Sequence, residues 1–225
     1  MTPTTTRSPS DTLVHSYLYL RRAIGLIGIG LPAVLIIGKL LVEGGGLQDS
    51  ISAYFYTDMR GVFVGSMFAV GAFLFSYRGY DVIDDVAGNL AGVAAIGVGL
   101  FPTAPENPSS TAHVIGVLHL VFASIFFLTI AFFAIFLFRR TNEMGPTERK
   151  LQRNRLYLTC GVVIIGCLLA IAAVHQFLQA QTAAIHPELW LESIAVMAFG
   201  FAWLTKGEAI LGDVFPTPAA VVTQA

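Results

Sequence analysis

The sequence predicts an all-α polytopic membrane protein, a six-helix transmembrane bundle with both termini in the cytoplasm. The first observation is composition: 55% of the 225 residues are hydrophobic and 12% are charged, which is too apolar for a soluble domain of this size. The second is a set of six apolar stretches, each close to the ~20 residues that cross a bilayer. The third is that eleven of the thirteen Lys and Arg residues fall in alternate gaps between these stretches.

The apolar stretches are separated by short gaps, so we expect one membrane domain with two tails. The predicted spans cover residues 23–42, 62–77, 86–101, 112–138, 156–179 and 185–205. Residues 1–22 are predicted as a cytoplasmic N-terminal tail, 23–205 as the transmembrane domain and 206–225 as a cytoplasmic C-terminal tail. The first tail lacks the apolar segment of a cleavable signal peptide, so we expect the first span to remain as an anchor.

The basic residues predict the orientation of the bundle. Arg21 and Arg22 precede the first span, Arg78 follows the second, and six further basic residues lie between the fourth and fifth. These gaps are predicted to be cytoplasmic because Lys and Arg accumulate on that side of a membrane. The opposite gaps hold only Lys39 and Arg60. Apart from these topological charges, the sequence has no basic stripe that could bind a nucleic acid. Membrane lipids are therefore the expected partners.

Glycines occur at helix-packing spacing in the second and third spans. Gly61 with Gly65, and Gly88 with Gly92, form GxxxG pairs that let helices approach closely in lipid. We interpret both pairs as packing within one chain, with a homo-oligomer through these small-residue faces as the alternative. At the inner entry to the third span, Asp84, Asp85 and Asn89 are interpreted as capping residues, because carboxylates suit the positive end of the helix dipole.

Ionisable and hydroxyl side chains gather toward the outer ends of four spans. Charged groups are costly in hydrocarbon, so those inside or beside spans are candidates for function. We therefore predict a polar pocket open to the outer leaflet that recognises or handles a lipid or an amphipathic small molecule. The candidate ligand-binding residues are Ser52, Asp58, Arg60, His113, His119, His175 and Glu192.

A zinc-dependent hydrolase acting on a lipid amide or ester is the first alternative. Its candidate metal ligands are His113, His119, His175 and Glu192, since catalytic zinc sites use three protein ligands and a water. The spacing argues against this interpretation. His113 and His119 are six residues apart, which places them about 240° apart around a helix.

Two further interpretations stay open. In a structural one, His119 or His175 hydrogen-bonds a neighbouring helix and Glu192 pairs with Arg60 or a histidine. In an ion channel or transporter, Glu192 and Asp58 would line a cation path. The acidic residues do not continue through the inner half of any span, which argues against transport.

Four short motifs carry a family resemblance. They are Ser50-Ile51-Ser52 before the second span, residues 97–102 at the end of the third, residues 113–116 at the start of the fourth, and Glu192 in the sixth. Their order resembles the DRAM-like membrane proteins, a family that includes a GPI-anchor remodelling factor and bacterial relatives. The resemblance implies a six-helix fold with its N-terminus inside and a lipid-linked or trafficking role. It also implies that Ser52, His113 and Glu192 are family-like polar positions.

A more distant likeness is to the alkaline ceramidase and adiponectin-receptor superfamily, whose members hold zinc with Ser, Asp and three His. This chain has those residue types but no clear seventh span, so the likeness supports only the hydrolase alternative. The compartment is predicted from the outer gaps. These are short, and Asn107-Pro108-Ser109 is not a glycosylation acceptor, because proline occupies its middle position. We therefore expect a bacterial plasma membrane.

Overall fold

Six α-helices make up most of the computed structural model, which describes residues 9–79, 81–105, 107–141, 146–178 and 183–212. They are α1 (Pro9–Val42), α2 (Arg60–Phe75), α3 (Val82–Leu100), α4 (Ser110–Phe132), α5 (Glu148–Ala173) and α6 (Pro187–Lys206). No strand occurs within those described ranges. The predicted all-α polytopic bundle is confirmed.

Short helical turns complete the architecture. A 3₁₀ turn, Ser52–Tyr56, lies between α1 and α2, and a second, Ala183–Ile185, precedes α6. α4 and α5 each continue into one π-helical turn, Phe133–Leu137 and Val174–Leu178. Following the predicted orientation, we call the end of the bundle that carries Ser52–Tyr56 the outer end and the opposite end the inner end.

Among the described residues, five helices are long and apolar enough to cross a membrane, which indicates an integral membrane protein. The spanning segments are Ser16–Val42, Val82–Leu100, Ser110–Leu137, Glu148–Leu178 and Pro187–Lys206. α2 has the apolar character but only 16 residues. α1 begins well before its predicted span, within the predicted N-terminal tail. α5 likewise begins before its predicted span, within the basic gap between the fourth and fifth spans. The predicted end of the fifth span at 179, and tail residues 1–8 and 213–225, lie outside the described residues.

The helices pack as a closed ring in sequence order. Each helix contacts the next along the chain, and α6 closes the ring by packing along α1. This up-and-down order follows from the short connections, which bring consecutive helices side by side. The interior of the ring is therefore walled by almost every helix, and any internal cavity is shared among them.

Glycine permits a close helix contact between α1 and α6. A Cβ on Gly200 would lie 2.6 Å from the backbone nitrogen of Ile29 and 2.7 Å from the carbonyl oxygen of Gly25. Gly88 and Gly92 likewise face the backbone of α2, so the prediction of packing within one chain is confirmed for that pair.

That prediction is wrong for the other pair. Gly61 and Gly65 in α2 are exposed, and a Cβ on either would meet no atom within 4 Å. The reason is the face on which they lie. Phe63, Met67 and Val70 are the buried residues of this part of α2, and the two glycines point away from them.

Side-chain caps begin three of the helices. Asp81 accepts hydrogen bonds from the backbone N–H groups of Ile83 and Asp84 at the start of α3. Ser109 caps α4 and Thr147 caps α5. The N-cap of α3 is Asp81 rather than Asp84, which is buried and pairs with Arg140. Asp84 and Asp85 lie in the first turn of α3, where carboxylates suit the positive end of the helix dipole, as expected.

Candidate functional site

The outer site is built around Glu192, whose carboxylate binds the backbone of the Ser52–Tyr56 turn. Its Oε2 atom accepts a hydrogen bond from the N–H of Ile51 at 2.8 Å and from the N–H of Ser52 at 3.4 Å. The first N–H groups of a helical turn have no partner within that turn, so a carboxylate satisfies them well. Ser50 adds a local cap, since its Oγ accepts from the N–H of Ala53 at 3.0 Å. Glu192 thus ties the outer turn to the second turn of α6.

A cavity lies directly below this turn, inside the helix ring. It measures about 40 Å³ as the space open to the centre of a water-sized sphere. Because a single water needs roughly 10–15 Å³ on this measure, the cavity has room for about three heavy atoms. Apart from Ser52 and Glu192 its lining is apolar, and it is contributed by α1, α2, α3, α4, α6 and Ile51. The polar groups of the cavity are therefore confined to Ser52 and Glu192, beside the outer turn.

Two contacts between a carboxylate and an imidazole lie at the outer end of α6. Asp49 Oδ1 lies 2.7 Å from Nδ1 of His186, the residue that precedes α6 in the left-handed conformation. Glu188 Oε1 lies 3.0 Å from Nε2 of His175, which joins α6 to the end of α5. Glu188 also lies close enough to Asp49 and Glu192 for the carboxylates to repel one another. The outer end of α6 is therefore acidic, and within the described ranges the side chains of Asp49 and Glu188 contact imidazoles rather than Lys or Arg.

Two of the seven predicted site residues come together, Ser52 and Glu192. His175 lies near them but pairs with Glu188 rather than facing the cavity. Asp58 and His113 are exposed and do not line the cavity. Arg60 is exposed, and its guanidinium carbon lies 4.0 Å above the centre of the Phe55 ring.

His119 is buried but has a structural partner. Its Nδ1 atom lies 2.6 Å from the carbonyl oxygen of Phe101, at the end of α3. Since a carbonyl can only accept, this nitrogen carries the proton and donates it. The interpretation that His119 hydrogen-bonds a neighbouring helix is confirmed. The expected pairing of Glu192 with Arg60 or a histidine is wrong, because the carboxylate binds backbone N–H groups instead.

The four predicted zinc ligands do not assemble. Within the described ranges, no three His, Cys, Asp or Glu side chains meet in a way that could hold a metal ion. His113 is exposed, His119 donates to Phe101, and His175 and Glu192 have separate partners. The hydrolase alternative gains no support from this geometry.

The inner end holds a second polar cluster, which the sequence analysis missed. One nitrogen of Arg140, Nη1, lies 2.8 Å from Asp81 Oδ2 and 2.8 Å from Asp84 Oδ2. The Asp84 side chain is 1% exposed, so the arginine compensates a buried charge. Arg140 was counted only as a topological charge. The position of Asp84 could have predicted this pair. An aspartate within the first turn of an apolar helix needs a cationic partner.

Aromatic rings fill the space beside this inner cluster. Trp203 is fully buried at their centre. Its ring centre lies 5.1–6.2 Å from those of four neighbours, Tyr77, Phe133, Phe138 and Phe199. Edge-to-face pairs at such separations are favourable beyond simple burial. The inner end is thus closed by packing, and the adjoining void near Trp203 measures only about 10 Å³.

Two groups outside the spans have shifted pKa values. Burial raises the pKa of the Tyr54 phenol, so this side chain stays neutral within the outer turn. For Asp81, loss of water opposes ionisation. The hydrogen bonds from Arg140 and from the Asp84 N–H outweigh this effect, so the pKa of Asp81 is lowered. Asp81 is therefore ionised at neutral pH, when it caps α3 and binds Arg140.

No protein-family model, curated protein or solved structure matches this chain. The resemblance to the DRAM-like proteins, and the likeness to the ceramidase and adiponectin-receptor superfamily, therefore stay predictions. Of the three family-like polar positions, Ser52 and Glu192 lie together at the cavity, while His113 is exposed at the start of α4. Function has to be argued from the cavity and its outer end.

Proposed function

We propose that this integral membrane protein recognises an amphipathic molecule, a lipid or a small molecule, from the outer leaflet. The observation that carries the proposal is the cavity inside the helix ring, which is apolar except for Ser52 and Glu192 beside the outer turn. Binding sites for small molecules are typically apolar hollows with a few convergent polar groups. In our proposal, the apolar part of the ligand enters the cavity and its polar part binds Ser52 and Glu192.

The size of the cavity limits what enters it. Space for about three heavy atoms admits a short apolar group but not a complete acyl chain. A larger ligand requires movement of the walls, and Met67 is the flexible side chain among them. The Ser52–Tyr56 turn is the element between the cavity and the outer surface, so we expect ligands to enter beside it.

Neither alternative function is favoured by a specific observation. The candidate metal ligands have separate partners, as described above. For a channel or transporter, the ionisable groups lie at the two ends of the bundle, while the cavity wall between them is apolar. We place the protein in a bacterial plasma membrane, which is supported by the short outer connections.

A cavity-filling variant tests this proposal. Ala123 of α4 lines the cavity, so Ala123→Leu should fill most of it. Ala172 of α5 is exposed on the outside of the bundle, so Ala172→Leu adds the same atoms away from the cavity and serves as the control. Each protein is extracted from its host membrane with surrounding lipid in polymer-bounded discs, and the bound small molecules and lipids are identified by mass spectrometry.

We expect the wild type and Ala172→Leu to retain a shared compound at about one molecule per chain, and Ala123→Leu to lose it. Equal retention by all three proteins would mean that the compound binds outside the cavity. No enriched compound in the wild type would also count against the proposal.

A further inference from the structure

A groove lies on the outside of the helix ring, between α5 and α6. Residues 156–163 of α5 and 194–201 of α6 border it, and we call it the α5–α6 groove. It measures about 450 Å³ as the space open to the centre of a water-sized sphere, a volume typical of ligand sites. Cys160 and Ala198 are small and buried, whereas Ile194, Met197 and Phe201 are more than a third exposed. The two small side chains therefore form the floor of the groove, and the three larger ones form its rim.

The α5–α6 groove lies within the membrane-spanning part of both helices. On α5 it runs from Leu156, nearer the inner end of the bundle, to Val163, which is a rise of about 10 Å. Apart from Thr159, the side chains that line it are apolar or, like cysteine, behave as small apolar groups. An apolar groove in contact with hydrocarbon suits one acyl chain of a lipid.

The inner end of this groove is basic. The first turns of α5, residues 148–155, precede the groove on one side, and residues 206–212 follow it on the other. These two segments contain two acidic residues, Glu148 and Glu208. They contain five basic ones, Arg149, Lys150, Arg153, Arg155 and Lys206. An anion is therefore attracted to this end of the groove.

Hydrogen bonds hold two of the arginines where α5 meets the chain that follows α6. Arg149 Nη1 donates to the carbonyl oxygen of Gly212 at 3.1 Å, and Arg153 Nη1 donates to that of Leu211 at 2.9 Å. A carbonyl carries no net charge, so these bonds position the guanidinium groups without neutralising them. A guanidinium has five N–H donors, so Arg149 has further donors for a phosphate.

Arg149 and Arg155 lie on the face of α5 that borders the groove. Arg149 precedes Leu156 by seven residues and Arg155 precedes Thr159 by four, and both spacings return to the same side of an α-helix. Both arginines are exposed, and neither forms a salt bridge with a described Asp or Glu. Arg155 lies at nearly the same depth as Leu156, and long basic side chains extend from that depth toward the membrane surface.

A groove of the same size between α3 and α4 lacks this positive charge. Residues 82–90 of α3 and 128–132 of α4 border this α3–α4 groove, which measures about 440 Å³. Asp81, Asp84 and Asp85 lie at its inner end. The nearby Arg140 is already paired with Asp81 and Asp84. The two grooves are alike in volume and apolar lining, so charge is what distinguishes the lipid headgroup that each can hold.

We propose that the α5–α6 groove binds an anionic phospholipid of the surrounding bilayer, with one acyl chain in the groove and the phosphate on Arg149 and Arg155. Arginine binds phosphate through paired N–H donors, and basic groups beside membrane helices attract anionic headgroups. This site lies on the outside of the ring, whereas Ser52 and Glu192 line the cavity inside it. The inference is therefore independent of the proposed function.

The test compares two lipids with identical acyl chains, phosphatidylglycerol and phosphatidylcholine. Full-length protein is reconstituted in nanodiscs made from an equimolar mixture of the two and then released into neutral detergent. The lipids that stay bound are counted by native mass spectrometry. We expect the wild type to retain phosphatidylglycerol in preference to phosphatidylcholine, by about five-fold for each arginine that contacts the headgroup.

Charge variants assign the preference to this end of the groove. Arg149→Gln and Arg155→Gln should each reduce the preference for phosphatidylglycerol about five-fold. Arg78→Gln is the matched control, because Arg78 is an exposed basic residue of the inner end that lies between α2 and α3. It removes the same charge away from the groove and should leave the preference unchanged.

A volume variant assigns the acyl chain to the groove. Ala198→Leu places a larger side chain on the floor of the α5–α6 groove and should lower the retention of phosphatidylglycerol without a change of charge. Ala87→Leu does the same in the α3–α4 groove and should have no effect on that retention. The two arginine variants change only exposed side chains, so they keep the test decisive even where Ala198→Leu does not fold.

Equal retention of the two lipids by the wild type would overturn the proposal. An equal loss in Arg149→Gln and Arg78→Gln would also overturn it, because the preference would then come from the general charge of the inner end. Wild-type retention of phosphatidylglycerol in Ala198→Leu, or an equal loss in Ala87→Leu, would show that the acyl chain does not lie in the α5–α6 groove.

Discussion

At the inner end of the bundle, the carboxylate of Asp84 lies against Arg140 and a layer of aromatic rings, whereas at the outer end the carboxylate of Glu192 lies beside a cavity and binds only backbone N–H groups. Both residues are acidic, and both sit within about two turns of the start of a helix. The inner carboxylate has a cationic partner, whereas no described Lys, Arg or His forms a salt bridge with the outer one. The inner end is therefore suited to holding helices together, whereas the outer end is where our proposal places a bound molecule.

The contrast also concerns volume. The void beside Trp203 has space for about one water, while the cavity beside Glu192 has space for about three heavy atoms. Tight packing makes a region intolerant of lost volume, because a vacated space removes contacts without replacing them. We therefore expect inner substitutions to change global stability most, and outer substitutions to change local order or binding.

The largest effect is expected for Trp203→Ala. Removing this fully buried ring deletes contacts with Tyr77, Phe133 and Phe138 and should lower the free energy of unfolding by about 3–5 kcal/mol. Trp190→Ala is the matched control, since Trp190 is 47% exposed. Unfolding in mixed detergent micelles, followed by circular dichroism, measures both. Equal losses for the two variants would contradict a tightly packed inner end.

The next effect concerns the ion pair. Arg140→Gln leaves Asp84 without a cation and should reduce stability by about 2–3 kcal/mol, less than for a fully buried pair because Arg140 is partly exposed. Adding Asp84→Asn should recover part of the loss, since the buried charge is then gone. Arg155→Gln, at an exposed position, should change little. If the double variant is as unstable as the sum of the two single variants, the residues do not act as a pair.

A smaller and local effect is expected for Glu192→Ala. Without the carboxylate, the N–H groups of Ile51 and Ser52 lose their partner, which weakens the turn by about 1–2 kcal/mol. Hydrogen exchange of residues 50–57 should accelerate while exchange near Trp203 stays unchanged. Glu188→Ala, one helical turn away, should leave residues 50–57 protected, because Glu188 binds His175 instead. Accelerated exchange in both variants would assign the effect to charge rather than to the cap.

The smallest effect is a pH dependence at Asp81. Because the folded-state pKa of Asp81 is lowered, its contribution to stability is present above the unfolded value near 4 and is lost as pH falls through the folded value. Asp81→Asn keeps a capping side chain but removes the charge. Wild type should be the more stable at pH 6, and the difference in thermal midpoint should shrink below about pH 4. A difference independent of pH would mean that the charge of Asp81 does not contribute.

The helices could be predicted from sequence because the bilayer sets both the length of an apolar span and the side on which basic residues accumulate. Neither feature depends on which helices pack against each other. The contact between Ser52 and Glu192 was predicted only in part. The positions of the two residues along their spans predict that both lie at the outer end of the bundle. The sequence does not indicate that Glu192 binds backbone N–H groups. The Asp84–Arg140 pair was missed because its formation depends on how α3 meets the end of α4. The prediction that Gly61 and Gly65 pack within the chain was wrong for a related reason. A GxxxG spacing places two glycines on one face of a helix but does not specify whether that face points into the bundle or outward.

The short second helix links the outer site to the membrane itself. With 16 residues, α2 rises about 24 Å, less than the ~30 Å of hydrocarbon that its neighbours cross. The connection before α2, which contains the Ser52–Tyr56 turn, therefore lies deeper in the membrane than the outer ends of the other helices. Otherwise the surrounding bilayer must become thinner around α2. The level of Glu192 relative to the surface then depends on acyl-chain length, so bilayer thickness sets how far the cavity lies below the membrane surface.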